Sequence, residues 1–220
     1  MSGRIVILNG APRSGKSTIA AALQGSEPGA WINLGVDAQN RMLPASLRPG
    51  IGLRPGGERP DLEAKVVALY LALYDSIAAH ARQGFHVVAD VGHHDFYSRP
   101  LAILPQCAQR LVGLDVLFVG VRCPIEEIMR RRNVDPQGGL YLGGDTVPEP
   151  VRRWQEAVHV PGTYDVEVDT GAMEAEGCAA VIAAALREWR RPSAFERLAG
   201  DPHPASPERR RGTLGCSRGA

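Results

Sequence analysis

Gly10, Ala11, Pro12, Arg13, Ser14, Gly15, Lys16 and Ser17 set two glycines, a lysine and a hydroxyl in the spacing GxxxxGK[ST]. That spacing suits phosphate. Glycines let backbone N–H groups turn inward against phosphate oxygens. A helix starting near Gly15 aims its positive end at the same anion. Lys16 is a point charge for β- and γ-phosphates, and Ser17 offers a hydroxyl to Mg²⁺. With Thr18 the run forms the expected ATP site. Of 25 Lys and Arg residues, only Lys16 and Lys65 are lysine. With that composition roughly 0.002 matches arise by chance, which sets aside an incidental glycine-rich turn.

Two acids and a group of arginines accompany the loop. Asp90 closes the apolar run His86-Val87-Val88-Ala89. A carboxylate at the end of such a strand serves Mg²⁺ beside Ser17, or caps the next segment of the chain. Asp37 ends a second run, in Gly35-Val36-Asp37. Ligands of an open parallel sheet bind beyond the carboxyl ends of its strands. Asp37 is therefore a candidate general base for an attacking hydroxyl, or the cap of a helix beginning at Ala38. Arg130, Arg131 and Arg132 precede Gly138-Gly139 and Gly143-Gly144, with Arg152 and Arg153 beyond. This pattern predicts a lid over about residues 130–153, with Arg130 and Arg131 stabilising charge in transfer. A helix C-terminus also favours arginine without any such role. Val91-Gly92-His93-His94-Asp95 continues from Asp90. Adjacent histidines do not readily share one metal, so a substrate-pocket loop is the better reading than zinc. His159 ends a helical segment, where a dipole partner is its plain role.

A frame of strands and helices must position these groups. Apolar runs predict strands over residues 4–8, 31–36, 86–89 and 116–121, and alternation predicts another over 164–168. Helical spacing covers 16–24, 61–84, 99–111, 124–132, 148–158 and 173–190, with Asp61 expected as an N-cap and Gly84 as a stop. Residues 42–60, rich in Gly and Pro, read as loop. Alternating strands and helices with continuous apolar strands predict an α/β fold, a parallel sheet covered on both faces.

With 220 residues and 44% apolar content, the chain can bury one sizeable core. A net charge of +1 gives no electrostatic case for nucleic acid or an anionic membrane as main partner. No apolar stretch reaches the ~18 residues of a membrane span. The apolar run at the N-terminus is too short for a signal peptide. Cys107, Cys123, Cys178 and Cys216 lack metal-ligand spacing and read as reduced thiols of a cytoplasmic protein. The kinase-like domain is expected to span 1–190. Residues 191–220, with four prolines and Arg209-Arg210-Arg211, read as a disordered tail.

Several blocks together resemble the chloramphenicol 3-O-phosphotransferase family of P-loop kinases. They are Ile5-Val6-Ile7-Leu8-Asn9-Gly10 leading into the loop, Gly35-Val36-Asp37, and Asp115-Val116-Leu117-Phe118-Val119-Gly120-Val121-Arg122-Cys123. Val158-His159, Tyr164-Asp165-Val166-Glu167-Val168-Asp169-Thr170 and Cys178-Ala179 complete the match, in order, over roughly residues 4–190. The resemblance implies a five-stranded parallel sheet of the nucleoside-kinase kind. It also implies ATP-dependent phosphorylation of a small-molecule hydroxyl, with Asp37 as base. Residues 41–60 and the Gly-His-His-Asp stretch depart from the family, and these regions are expected to shape the acceptor pocket. A resistance-type kinase for chloramphenicol or a related alcohol is the leading expectation. Other small-metabolite or nucleotide kinases, and a nucleotide-dependent binding protein without kinase activity, stay open beside it.

Overall fold

A computed structural model describes residues 2–47, 59–135, 146–160, 162–188 and 193–200. Five strands, β1 (Ile5–Asn9), β2 (Trp31–Asn33), β3 (His86–Val91), β4 (Val116–Arg122) and β5 (Val166–Asp169), form one sheet in the order β2-β3-β1-β4-β5. All pairs are parallel. β1 is central and buried throughout, which explains why it reads as an unbroken apolar run. Leu8 pairs with Asp90, and Asn9 pairs with both Val91 and Gly120. The chain leaves β1 for β2 on one side and reaches β4 on the other, so the crevice beyond β1 is the topological switch point where such sheets bind ligands.

The eight helices of the described residues are α1 (Lys16–Ser26), α2 (Val36–Met42), α3 (Glu63–Arg82), α4 (Ile103–Arg110), α5 (Ile125–Val134), α6 (Glu149–Ala157), α7 (Ala175–Arg187) and α8 (Ala194–Gly200). α3, α4 and α8 cover one face of the sheet through Tyr74, Ile77, Ile103, Cys107 and Phe195. α1 and α7 cover the other through Ile19, Leu23, Cys178 and Ile182. A third cluster joins Ala11 of the phosphate loop to Ile128, Met129, Val151 and Val158 of α5 and the α6 end.

Three expectations change. Asp61 does not cap the long helix: it lies in a 3₁₀ turn, Pro60–Leu62, and pairs with Arg59 at 2.7 Å, while α3 starts at Glu63 with no side-chain cap. β2 stops at Asn33, because Gly35 already serves as N-cap of α2. The packed domain does not end at residue 190: α8 buries Ala194, Phe195 and Leu198 in the main core. The remainder of the expected tail, including Arg209-Arg210-Arg211, lies outside the described residues, as do Gly138-Gly139 and Gly143-Gly144 of the expected lid.

Candidate active site

The phosphate loop joins β1 to α1. Gly15 takes the left-handed conformation (φ 90°) and is the N-cap of α1, which has no capping side chain and no acid in its first turn. The first backbone donors of α1 therefore face outward unpaired by any cap, as an anion site requires. Gly10 is fixed by close approach: a Cβ there would lie 2.6 Å from the Val121 carbonyl oxygen. Arg13 shares the positive φ (69°) and ties the loop to the end of α5, donating to the Arg131 carbonyl at 3.0 Å and pairing with Asp135. The side chains of Ala11 and Ser14 turn inward, away from the crevice.

Lys16 Nζ donates to the carbonyls of Gly10 (2.9 Å) and Ala11 (2.8 Å). Burial lowers its pKa to about 8, against the opposing pull of Asp90 and Asp37. Ser17 Oγ donates to Asp90 Oδ2 at 2.7 Å. Asp90 is buried, on the strand beside β1. Asp37 stands in the first turn of α2 rather than at the end of a strand, and it lines the same crevice. A hydroxyl and a carboxylate held together beside an open helix N-terminus are oxygen donors that fit a hard cation such as Mg²⁺.

These groups line one cavity of about 1100 Å³. Its loop side carries Arg13, Lys16, Ser17, Thr18, Arg130, Arg131 and the segment after β5. Its far side carries Asp37, Gln39, Asn40, Tyr70, His94, Tyr97 and Trp154. The two candidate arginines have different surroundings. Arg130 is mostly exposed and pairs only with Glu127 among the described contacts. Arg131 donates to the Thr170 carbonyl (2.8 Å), Thr170 Oγ1 (3.2 Å), the Arg13 carbonyl (3.3 Å) and Glu127 (2.7 Å). It thus binds the phosphate loop, α5 and the end of β5 together.

Asn9, last residue of β1, holds the surroundings of the loop in register. Its Nδ2 donates to the Val158 carbonyl (2.9 Å) and to Tyr164 Oη (3.0 Å), and its Oδ1 accepts from His93 N–H (2.6 Å). Tyr164 Oη also bonds His159 Nδ1 at 2.8 Å, so His159 belongs to this buried network rather than to a helix end alone. The adjacent histidines part company. His93 is buried against Tyr70, with Nε2 2.8 Å from Tyr74 Oη. His94 faces the cavity. The sequence marked this loop as part of a pocket but carried no sign of its aromatic partners. Tyr70 follows the apolar rhythm of α3, and Trp154 lies in α6, some sixty residues from His94 in the chain.

The parallel order of this sheet, the loop at its centre and the acid on the neighbouring strand define the P-loop kinase fold. A family model described as chloramphenicol phosphotransferase-like protein matches residues 3–187, and the chain belongs to that family. It is 27% identical over 212 residues to "Putative O-phosphotransferase Rv2636" of Mycobacterium tuberculosis strain H37Rv, covering 89% of this chain and 88% of that one. Two solved kinases share the fold. One is the Mycobacterium tuberculosis APS kinase CysC in complex with AMPPNP and APS (TM-score 0.55, 20% identity, 86% of this chain and 99% of that chain). The other is shikimate kinase from Acinetobacter baumannii in complex with shikimate (TM-score 0.54, 12% identity, 84% and 94%). The family supports a phosphotransferase with a small-molecule acceptor. No helix among the described residues is long and apolar enough to cross a membrane.

Proposed function

We propose that the protein transfers the γ-phosphoryl group of ATP to a hydroxyl of a small molecule, chloramphenicol or a related alcohol, in the cytoplasm. The observation that carries this reading is the convergence of Lys16, the Ser17–Asp90 pair and Asp37 on one cavity that continues into an aromatic-lined far side. The loop backbone, residues 10–18, would hold the triphosphate. Ser17 and Asp90 would hold Mg²⁺, which supplies charge neutralisation at the phosphates when bound. Asp37 takes the proton of the acceptor hydroxyl. The hydroxyl oxygen forms a bond to the γ-phosphorus, the bond from that phosphorus to the β–γ bridging oxygen breaks, and ADP leaves. Lys16 and Arg130, which line the loop side of the cavity, would stabilise the charge that develops, with Arg131 beside them holding the loop to α5 and the end of β5.

An uncharged acceptor is the reading followed here: among the described residues no arginine lines the far side, and Arg153, whose charge reaches His94, stands outside the lining, whereas anionic recognition calls for paired guanidinium groups. Of the arginines that could serve an anion, Arg41 is outside the lining, and Arg48 and Arg54 lie outside the described residues. The test is ATP consumption by purified protein with Mg²⁺, with and without chloramphenicol, beside Asp37→Ala. Stimulation by chloramphenicol that the variant lacks is the expected result. Tight ATP binding without stimulation by any hydroxyl compound, unchanged by Asp37→Ala, would establish a nucleotide-dependent binding protein instead.

A further inference from the structure

His94 sits where β3 runs out into the far side of the cavity. Its ring stacks on Tyr97 (centroids 4.6 Å apart, 22° between planes) and meets Trp154 edge-on (5.0 Å, 90°). Trp154 in turn lies against the backbone of Gly92: a Cβ there would be 3.1 Å from the indole. The loop is pinned on its other side as well. Asp95 accepts from the N–H groups of Leu101 and Ala102, and Glu63 accepts from Ser98 N–H at 2.8 Å. The imidazole is therefore held in place before any ligand arrives.

Its protonation is fixed too. His94 Nδ1 accepts from Phe96 N–H at 3.2 Å, which puts the ring proton of the neutral form on Nε2. Burial, with help from Arg153, lowers the pKa to about 4, so the ring is neutral across the physiological range. No described hydrogen bond engages Nε2, and His94 lines the cavity. The open space beside the ring is the cavity that also holds Asp37. A neutral donor of fixed direction, rigidly stacked between aromatic rings, has no structural task left for its N–H.

We propose that His94 is a positioning residue for the acceptor, its Nε2–H donating to an oxygen of chloramphenicol lying against Tyr97 and Trp154. This rests on the reading of the cavity as an acceptor pocket. The residue falls in the Gly-His-His-Asp stretch expected from the sequence to shape the acceptor pocket, so it is a candidate for what sets this chain's acceptor preference.

The test measures chloramphenicol and ADP–Mg²⁺ binding separately by calorimetry, then steady-state kinetics, on the parent, His94→Phe and His94→Gln. Phenylalanine keeps the stacking and removes the donor, while glutamine restores a donor near the Nε2 position. Phenylalanine is expected to weaken chloramphenicol binding about tenfold, and to raise its KM more than it lowers kcat. The nucleotide affinity should hold within about twofold, and glutamine should recover most of the loss. Equal chloramphenicol affinity in His94→Phe and the parent overturns the proposal. So does a loss of nucleotide affinity in both variants, which marks a merely structural role. A parent that binds ADP–Mg²⁺ but not chloramphenicol removes the acceptor reading, and this proposal with it. That result is told apart because the parent itself is silent.

Discussion

A Cβ placed on Gly35 would lie 1.5 Å from Oδ1 of Asp90. The backbone that introduces Asp37 thus presses directly on the carboxylate that accepts from Ser17. Gly35 has φ −102°, which any residue adopts, so its requirement is space and not backbone freedom. The Gly-Val-Asp block thus touches Asp90 through its glycine and carries Asp37 two residues on.

Gly35→Ala should therefore displace Asp90 without unfolding the sheet. The expected outcome is a rise of about 10–100-fold in the Mg²⁺ concentration needed for half-maximal turnover, as for loss of an outer support of a metal site. Circular dichroism should stay that of the parent. An unchanged Mg²⁺ requirement would mean the carboxylate relaxes without consequence.

Lys16 gives the nucleotide affinity a pH dependence. In the free protein its pKa stands near 8, below the ordinary 10.5, because burial disfavours the ammonium. A bound triphosphate restores that charge, so binding takes up a proton wherever the free lysine has lost one. Affinity is then level below about pH 8 and falls above it, by up to about tenfold per pH unit. Nucleotide titrations of the parent from pH 7 to about 9.5 should show this slope. Lys16→Met should bind weakly with no slope, and a parent curve as flat as the variant's would rule out the lysine as its source.

The neighbouring arginines should separate into a structural and a catalytic effect. Arg131 makes four hydrogen-bonded contacts that tie together three parts of the fold, whereas among the described residues Arg130 holds an exposed pair with Glu127 alone. Arg131→Ala is expected to cost about 1–3 kcal/mol of stability. Arg130→Ala should stay within about 0.5 kcal/mol of the parent, since exposed ion pairs contribute little. If Arg130 acts on the transferring phosphoryl, its loss lowers kcat by about 10²-fold or more. Denaturant melts and kcat on both variants decide, and the reverse pattern would exchange the two roles.

The central strands were legible because β1, β3 and β4 are buried on both faces and so read as unbroken apolar runs. The phosphate loop was legible because its chemistry is local. Asp37 was found for a reason only partly right: it belongs near the strand ends, but the turn of a helix and not a strand carries it. The aromatic wall of Tyr70, Tyr97 and Trp154 was not legible. Its members come from separate elements, and each taken alone looks like an ordinary core residue. The last helix was missed because the prolines and arginines around it set the average composition. Yet Ser193-Ala194-Phe195-Glu196 is a capping box: Ser193 N–H donates to Glu196 Oε2 (2.7 Å) and Glu196 N–H to Ser193 Oγ (3.2 Å).

That helix is a working part of the core, which makes a final prediction. Phe195 is 2% exposed, meets Phe118 edge-on at 4.9 Å and stacks over Tyr74 at 6.1 Å. Asp165 joins α8 to the sheet by accepting from Ala194 N–H at 2.6 Å and from Phe118 N–H at 2.8 Å. Removing the ring leaves a cavity between the sheet, α3 and α4 that a rigid core cannot close. Phe195→Ala should cost about 3–5 kcal/mol and lower Tm by roughly 10 °C. A chain ending at residue 190 should lose at least as much, because it also exposes the apolar residues that α8 covers. Thermal melts of the two, beside the full chain, test this. If both melted with the parent, α8 would add nothing to the stability of the domain, and its boundary would fall back to residue 190.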